Sequence, residues 1–186
     1  MAMRDAIRTL AALGVIEVRR GAGGGVKVAC ADAGRFADAL AIQLTLLAVS
    51  RVDLIEAQIA TEAMITRLAA ELAEPTDIVE LVTVLTDAGA YAADGVLFAQ
   101  AIGAFHASLA RIAGNPALAV MLGGILQLLE AEYIGDTTPA RAIGVLRRYE
   151  AVVAAISLSD GDHAAALMRD HLANVLAFKP AKDSGT

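Results

Sequence analysis

The chain has 186 residues, a hydrophobic content of 57% and a formal net charge of −6. This length is sufficient for one domain of ordinary size with a buried core, plus a smaller segment. The single cysteine, Cys30, excludes an internal disulfide and favours a reducing compartment, and Met1 opens no signal segment. No apolar run reaches the roughly 18 uninterrupted residues of a membrane span. We therefore expect a cytoplasmic protein without a membrane segment.

The first thirty residues predict a helix, a glycine-rich turn and a basic β-hairpin. Residues 3–14 have apolar side chains at helical spacing and end at a glycine, and residues 15–20 and 25–29 are β-rich runs on either side of the glycines. This order is that of a recognition helix followed by a wing. The residues that we expect to contact DNA are Arg4, Arg8, Arg19, Arg20, Gly21, Gly23 and Lys27.

Charge is divided unevenly along the chain. Residues 1–30 carry a net charge of +3, and the remainder carries −9. A basic patch on an acidic protein suits phosphate binding, because non-specific affinity for DNA comes mainly from counterion release. The alternative, which composition alone favours, is that these cations form a solvated surface. The helix–hairpin order favours DNA binding instead.

From residue 31 onward, capping and breaker residues predict seven helices. The expected helices cover residues 32–48, 50–72, 75–91, 96–113, 116–133, 138–157 and 160–178. The predicted domains are therefore a DNA-binding segment at 1–30, a helical domain at 31–178 and a disordered tail at 179–186.

The N-terminal segment contains RDAIRTL at residues 4–10, GVI at 14–16 and RGAGGG at 20–25. It resembles the end of the winged helix of GntR-family transcription regulators. The rest of the chain, to about residue 178, resembles the FCD-type ligand-sensing domain of the FadR subfamily. The resemblance implies an all-α fold, a seven-helix antiparallel bundle preceded by a partial winged helix. It also implies a homodimer that binds operator DNA and a small effector. Because family members carry several dozen more residues before the recognition helix, we expect either a truncated chain or a start placed late.

Two motifs, FH at residues 105–106 and RDHL at 169–172, resemble parts of the family's metal site. In many members one Asp and three His hold a divalent metal. The family Asp falls on Ile102 and one family His falls on Tyr149, so His106 and His171 remain as weak candidate ligands. We predict no tightly held metal and no cofactor, with these histidines buried, neutral and hydrogen-bonded to each other, to Tyr149 or to water. Tyr149 could still ligate weakly if a metal deprotonated it, so a divalent metal is disfavoured but possible.

A further departure from the family concerns the effector. The family Arg that lies four residues before Glu62 is Gln58 here. An Arg fork recognises a carboxylate bidentately and Gln does not. Losing both this Arg and two metal ligands favours an apolar, lipid-derived effector such as a fatty acid or acyl-CoA. A pocket filled by its own side chains is the equally weighted alternative. The expected effector-binding residues are Gln58, Ile102, His106, Tyr149 and His171.

The sequence does not favour an enzyme. Its three histidines lie far apart, no Ser or Cys occupies a nucleophile elbow, and the glycine run opens a strand and not a helix. The expected function is DNA-binding transcription regulation by a helical effector sensor. The alternatives are a helical ligand-binding or interaction protein that no longer binds DNA, and a metal-dependent organic-acid sensor of the same family.

Overall fold

The computed structural model describes residues 2–12, 15–19, 21, 24–29 and 33–177. Predictions that fall on Arg20, Gly23, Cys30 and the tail at 179–186 lie outside the described residues. The described residues form eight helices and one two-stranded sheet. The chain divides into two compact units, Met1–Phe36 and Ala37–Thr186.

The first unit contains helix α1 (Ala2–Ala12) and an antiparallel hairpin of β1 (Ile16–Arg19) and β2 (Gly25–Val28). The hairpin register pairs Ile16 with Val28 and Arg19 with Gly25. The turn requires glycine at position 24, because a Cβ there would lie 2.4 Å from the backbone oxygen of Arg19. The predicted order of helix and hairpin is therefore confirmed.

Seven further helices follow, as predicted, and the all-α class is confirmed. They are α2 (Ala33–Leu46), α3 (Arg51–Leu72), α4 (Pro75–Ala90), α5 (Gly95–Ile112), α6 (Pro116–Asp136), α7 (Pro139–Ser157) and α8 (Gly161–Ala177). The division between the two compact units falls within α2.

Local capping chemistry explains where these helices begin. At the start of α3, the Ser50 side chain accepts from the backbone N–H of Asp53, whose carboxylate accepts from the backbone N–H of Ser50. The Asp94 carboxylate caps α5 by accepting from two backbone N–H groups at 3.0 Å. Gly114, with φ of 63°, ends α5 in the left-handed conformation. Thr138 caps α7, and Pro139 occupies its first turn.

The end of α6 lies at the predicted break. The sequence predicts a helix that runs to about Tyr133 and ends at Gly135 and Asp136, and the structure includes both of these residues in the helix. An internal glycine costs only about 1 kcal/mol in a helix. The helix ends where Pro139 disfavours helical conformation in the residue before it.

Among the described residues, the core of the second unit contains one large apolar cluster, which includes the 0% exposed Phe105, and two smaller clusters. Tyr149 belongs to the large cluster, and Ile102 packs partly buried against that cluster and against the one formed by Ala88, Phe98 and Ala142. By length and composition, α5 and α6 are apolar enough to cross a membrane. Core helices of globular proteins meet the same criterion, and α5 contributes Phe105 to this core.

Candidate functional site

Six polar side chains from five helices meet inside the second unit, and we call them the polar centre. They are Gln58 and Glu62 on α3, His106 on α5, Tyr133 on α6, Tyr149 on α7 and His171 on α8. All of them except Tyr133 are at most 3% exposed. Burying this much polarity is unfavourable unless the groups satisfy each other.

On α3, the polar side chains follow the helical repeat. Gln58, Glu62 and Thr66 are spaced four residues apart and therefore share one face. The Gln58 amide donates to Oε1 of Glu62 at 2.6 Å, and its oxygen accepts from the Tyr133 hydroxyl at 2.5 Å. Burial, with a contribution from the Glu62 charge, raises the pKa of Tyr133 above its ordinary range, so this phenol keeps its proton. Both ends of the Gln58 amide are thus occupied.

His106 links the carboxylate of α3 to the tyrosine of α7. Its Nδ1 lies 2.8 Å from Oε2 of Glu62, which is ion-pair distance, although the angle is not that of a hydrogen bond. Its Nε2 lies 3.1 Å from the Tyr149 hydroxyl. The two ring edges of His106 therefore face two different polar partners.

The Tyr149 hydroxyl is shared between two imidazoles, since Nε2 of His171 lies 3.0 Å from it on the other side. Burial is the main cause that raises the pKa of Tyr149 well above its ordinary value, and it lowers the pKa of His171 to about 3. At neutral pH, Tyr149 is therefore an intact phenol and His171 is neutral. The sequence suggested three hydrogen-bond partners for His106 and His171: each other, Tyr149 or water. In the structure, both histidines contact the Tyr149 hydroxyl.

These residues do not fit a divalent metal. Ile102, at the position where the resemblance implies a carboxylate, provides only carbon, and the raised pKa of Tyr149 opposes its ionisation to a ligand. Glu62 lies at Nδ1 of His106, on the opposite ring edge from the Nε2 that faces Tyr149, so the carboxylate and Nε2 point in different directions. Among the described residues, no group of three or more His, Cys, Asp or Glu side chains is arranged to hold a metal.

Four of the five residues expected at the effector site lie in the polar centre, and Ile102 lies outside it in apolar packing. Sequence reasoning missed Glu62, Thr66 and Tyr133 as site residues. The four-residue spacing from Gln58 could have indicated the first two. Tyr133 gave no signal, because it comes from a helix 75 residues further along the chain.

The residues expected to contact DNA lie on the surface of the first unit where they are described. Arg4 and Arg8 are exposed and one helical turn apart on α1, and Arg8 lies 4.0 Å from Asp5. On the hairpin, Arg19 lies 3.7 Å from Glu17, and the exposed Lys27 is paired across the strands with that same Glu17. Gly21 has φ of 113°, in the left-handed region that favours glycine. Arg20 and Gly23 are outside the described residues.

A helix and a hairpin followed by an all-helical domain is the order of elements that the sequence resemblance implies. The FCD domain model matches residues 53–174, and the chain belongs to this family as a GntR-type regulator. The sequence prediction of a GntR-family FCD-type regulator is thereby confirmed, whereas membership of the FadR subfamily stays a prediction.

The chain is 28% identical to the HTH-type transcriptional regulator LutR of Bacillus subtilis (strain 168) over 181 residues, covering 94% of this chain and 81% of LutR. Streptococcus agalactiae GntR superposes with a TM-score of 0.68 at 21% identity, over 95% of this chain and 80% of that one. E. coli McbR/YncC superposes with a TM-score of 0.59 at 16% identity, over 94% and 82%. At these identities the structural likeness shows the fold. The relatives are regulators and not enzymes, as predicted.

Proposed function

We propose that the FCD domain binds its effector at the polar centre, and that binding there alters how the first unit engages operator DNA. The observation that supports this is the network itself, because its hydrogen bonds and the close contact between Glu62 and His106 join α3, α5, α6, α7 and α8. A ligand that displaces one member changes the contacts of several helices at once. Such a network is a means of converting binding into a change of helix packing.

Unpartnered polar atoms give the proposal a second support. The hydroxyl of Thr66 and Nδ1 of His171 are buried, and neither has a hydrogen-bond partner within the described part of the chain. A buried polar group without a partner costs roughly 1–3 kcal/mol. A ligand that bonds to these atoms recovers part of that free energy.

For the effector class, we propose a molecule whose inserted part is uncharged, with fatty acids and acyl-CoA as the first candidates. The Gln58 amide is already engaged at both ends and offers no fork for a carboxylate. The neighbouring Glu62 carboxylate would repel an inserted anion. An acyl chain would instead gain about 25 cal/mol per Å² of apolar surface buried.

Thermal-shift measurements test this proposal with fatty acids of increasing chain length, acyl-CoA and short organic acids. We expect stabilisation that grows with chain length, abolished by Gln58→Glu, which adds a charge to the polar centre, but retained in Gln100→Glu, which makes the same change at an exposed position on α5. A response to short carboxylates alone contradicts the effector class. No response to any of these compounds contradicts effector binding as proposed.

We further propose that the first unit contacts operator DNA, with the chain acting as a homodimer. The contact residues are those expected from the sequence: Arg4, Arg8, Arg19, Arg20, Gly21, Gly23 and Lys27. The support is their exposure where they are described, and the positive charge of the segment in an otherwise acidic protein.

A further inference from the structure

The sharing of one hydroxyl by two imidazoles suggests a structural role that the family's metal would otherwise fill. His106, Tyr149 and His171 come from α5, α7 and α8, three helices that are separate in sequence. The two Nε2 atoms lie 3.1 and 3.0 Å from the same phenolic oxygen. This is hydrogen-bond length, whereas a zinc–imidazole bond would be about 2.0–2.1 Å.

We propose that the Tyr149 hydroxyl is a fixed replacement for a divalent metal, bridging α5, α7 and α8 through hydrogen bonds in a domain that does not respond to such metals. A metal ion joins helices by accepting lone pairs from side chains on each of them. Here the phenol joins the same two imidazoles, and its own covalent attachment to α7 provides the third connection. The bridge is therefore present in every molecule, whatever the metal concentration.

Packing holds the hydroxyl in this position. The Tyr149 ring lies 4.7 Å from the rings of both Phe105 and His171, measured between centroids, and the tyrosine is 2% exposed. Rings at this separation are in favourable contact. Because the tyrosine is buried against these rings, swinging the hydroxyl away to admit an ion would disrupt the core around it.

The bridging role is tested with Tyr149→Phe, which removes the hydroxyl and retains the ring. We expect a fall in Tm on the order of 5 °C, because both Nε2 atoms lose a buried partner. Tyr91→Phe is the matched control, since Tyr91 is 41% exposed at the end of α4, and it should leave the Tm unchanged. Equal Tm values for Tyr149→Phe and the native chain would overturn the bridge.

The replacement of the metal is tested with zinc and nickel. We expect purified native protein to contain no stoichiometric metal by elemental analysis, and its Tm to be the same with zinc, nickel or a chelator. The Tm of Tyr149→His should rise when zinc or nickel is added, because a third imidazole then faces His106 and His171. Stabilisation of the native chain by either metal would overturn the proposal. A Tyr149→His variant that folds and ignores both metals would contradict the position assigned to the hydroxyl.

Discussion

The residues proposed to act in the two units differ in burial: they are exposed in the first unit and buried in the second. In the first unit, the side chains proposed to act are arginines and a lysine at the surface, around a hairpin in which Ile16 is the buried strand residue. In the second, the side chains proposed to act are almost fully enclosed and hydrogen-bonded to one another. Mutations should therefore separate stability from DNA affinity, with stability depending mainly on the second unit.

The largest expected effect comes from the core of the second unit. Phe105→Ala removes a ring that is 0% exposed and should lower the free energy of unfolding by about 3–5 kcal/mol. Phe36→Ala makes the same change at the 58% exposed last residue of the first unit and should cost less than about 0.5 kcal/mol. Urea unfolding of both variants checks the difference. Equal losses would contradict the contrast between the two units.

A change of pH should have an intermediate effect on the free energy of unfolding. The pKa of His171 is about 3 in the folded chain, against an ordinary value of 6.5, because burial and the neighbouring His106 oppose its charged form. Between these values the unfolded chain binds a proton that the folded chain does not, so stability should fall as the pH drops from about 6.5 toward 3. Above pH 6.5 this contribution is fully present.

Urea midpoints measured at several pH values test this assignment. His171→Gln should flatten the fall in stability below pH 6.5, while His163→Gln, which changes an exposed histidine on the same helix, should leave it unchanged. If the two variants keep the same pH dependence as the native chain, His171 is not its source.

The smallest effect on stability should come from the surface of the first unit. Arg4→Ala with Arg8→Ala should change the free energy of unfolding by less than about 0.5 kcal/mol, because both side chains are exposed. Affinity for duplex DNA should nevertheless fall, and the slope of log affinity against log salt should decrease by about 1 for each phosphate contact removed. Arg147→Ala with Arg169→Ala, two exposed changes on α7 and α8, removes the same number of charges and is the matched control. Unchanged DNA affinity in the double variant would contradict the proposed contact surface.

Local features of the fold were predictable from the sequence. The cap at Ser50, the left-handed glycine at 114 and the proline in the first turn of α7 all act within a few residues, so their effect can be deduced from neighbouring letters. The break at Gly135 and Asp136 was also predicted, although the helix includes both residues, because a glycine is tolerated inside a helix.

The polar centre was predictable only in part, because most of its contacts join residues that are far apart in the sequence. The resemblance to the family pointed to His106 and His171, but the partner that joins them depends on how the bundle brings the side chains of α5, α7 and α8 together. Tyr133 reaches Gln58 across 75 residues of sequence, and no local pattern marks that contact. Contacts of this kind are set by tertiary packing, which sequence periodicity does not specify.

The shared Tyr149 hydroxyl requires different hydrogen-bonding roles of His106 and His171, although their Nε2 atoms lie at nearly equal distances from it. A phenol has one proton, and the acceptors beside it are the Nε2 atoms of His106 and His171. The proton can be donated to one of them, and the other ring must then carry hydrogen on Nε2 and donate it to the phenolic oxygen. A metal would treat both rings as equal electron-pair donors. With Tyr149 between them, one imidazole donates a hydrogen bond and the other accepts one. The chain of hydrogen bonds from α5 through α7 to α8 is therefore polarised from one histidine to the other.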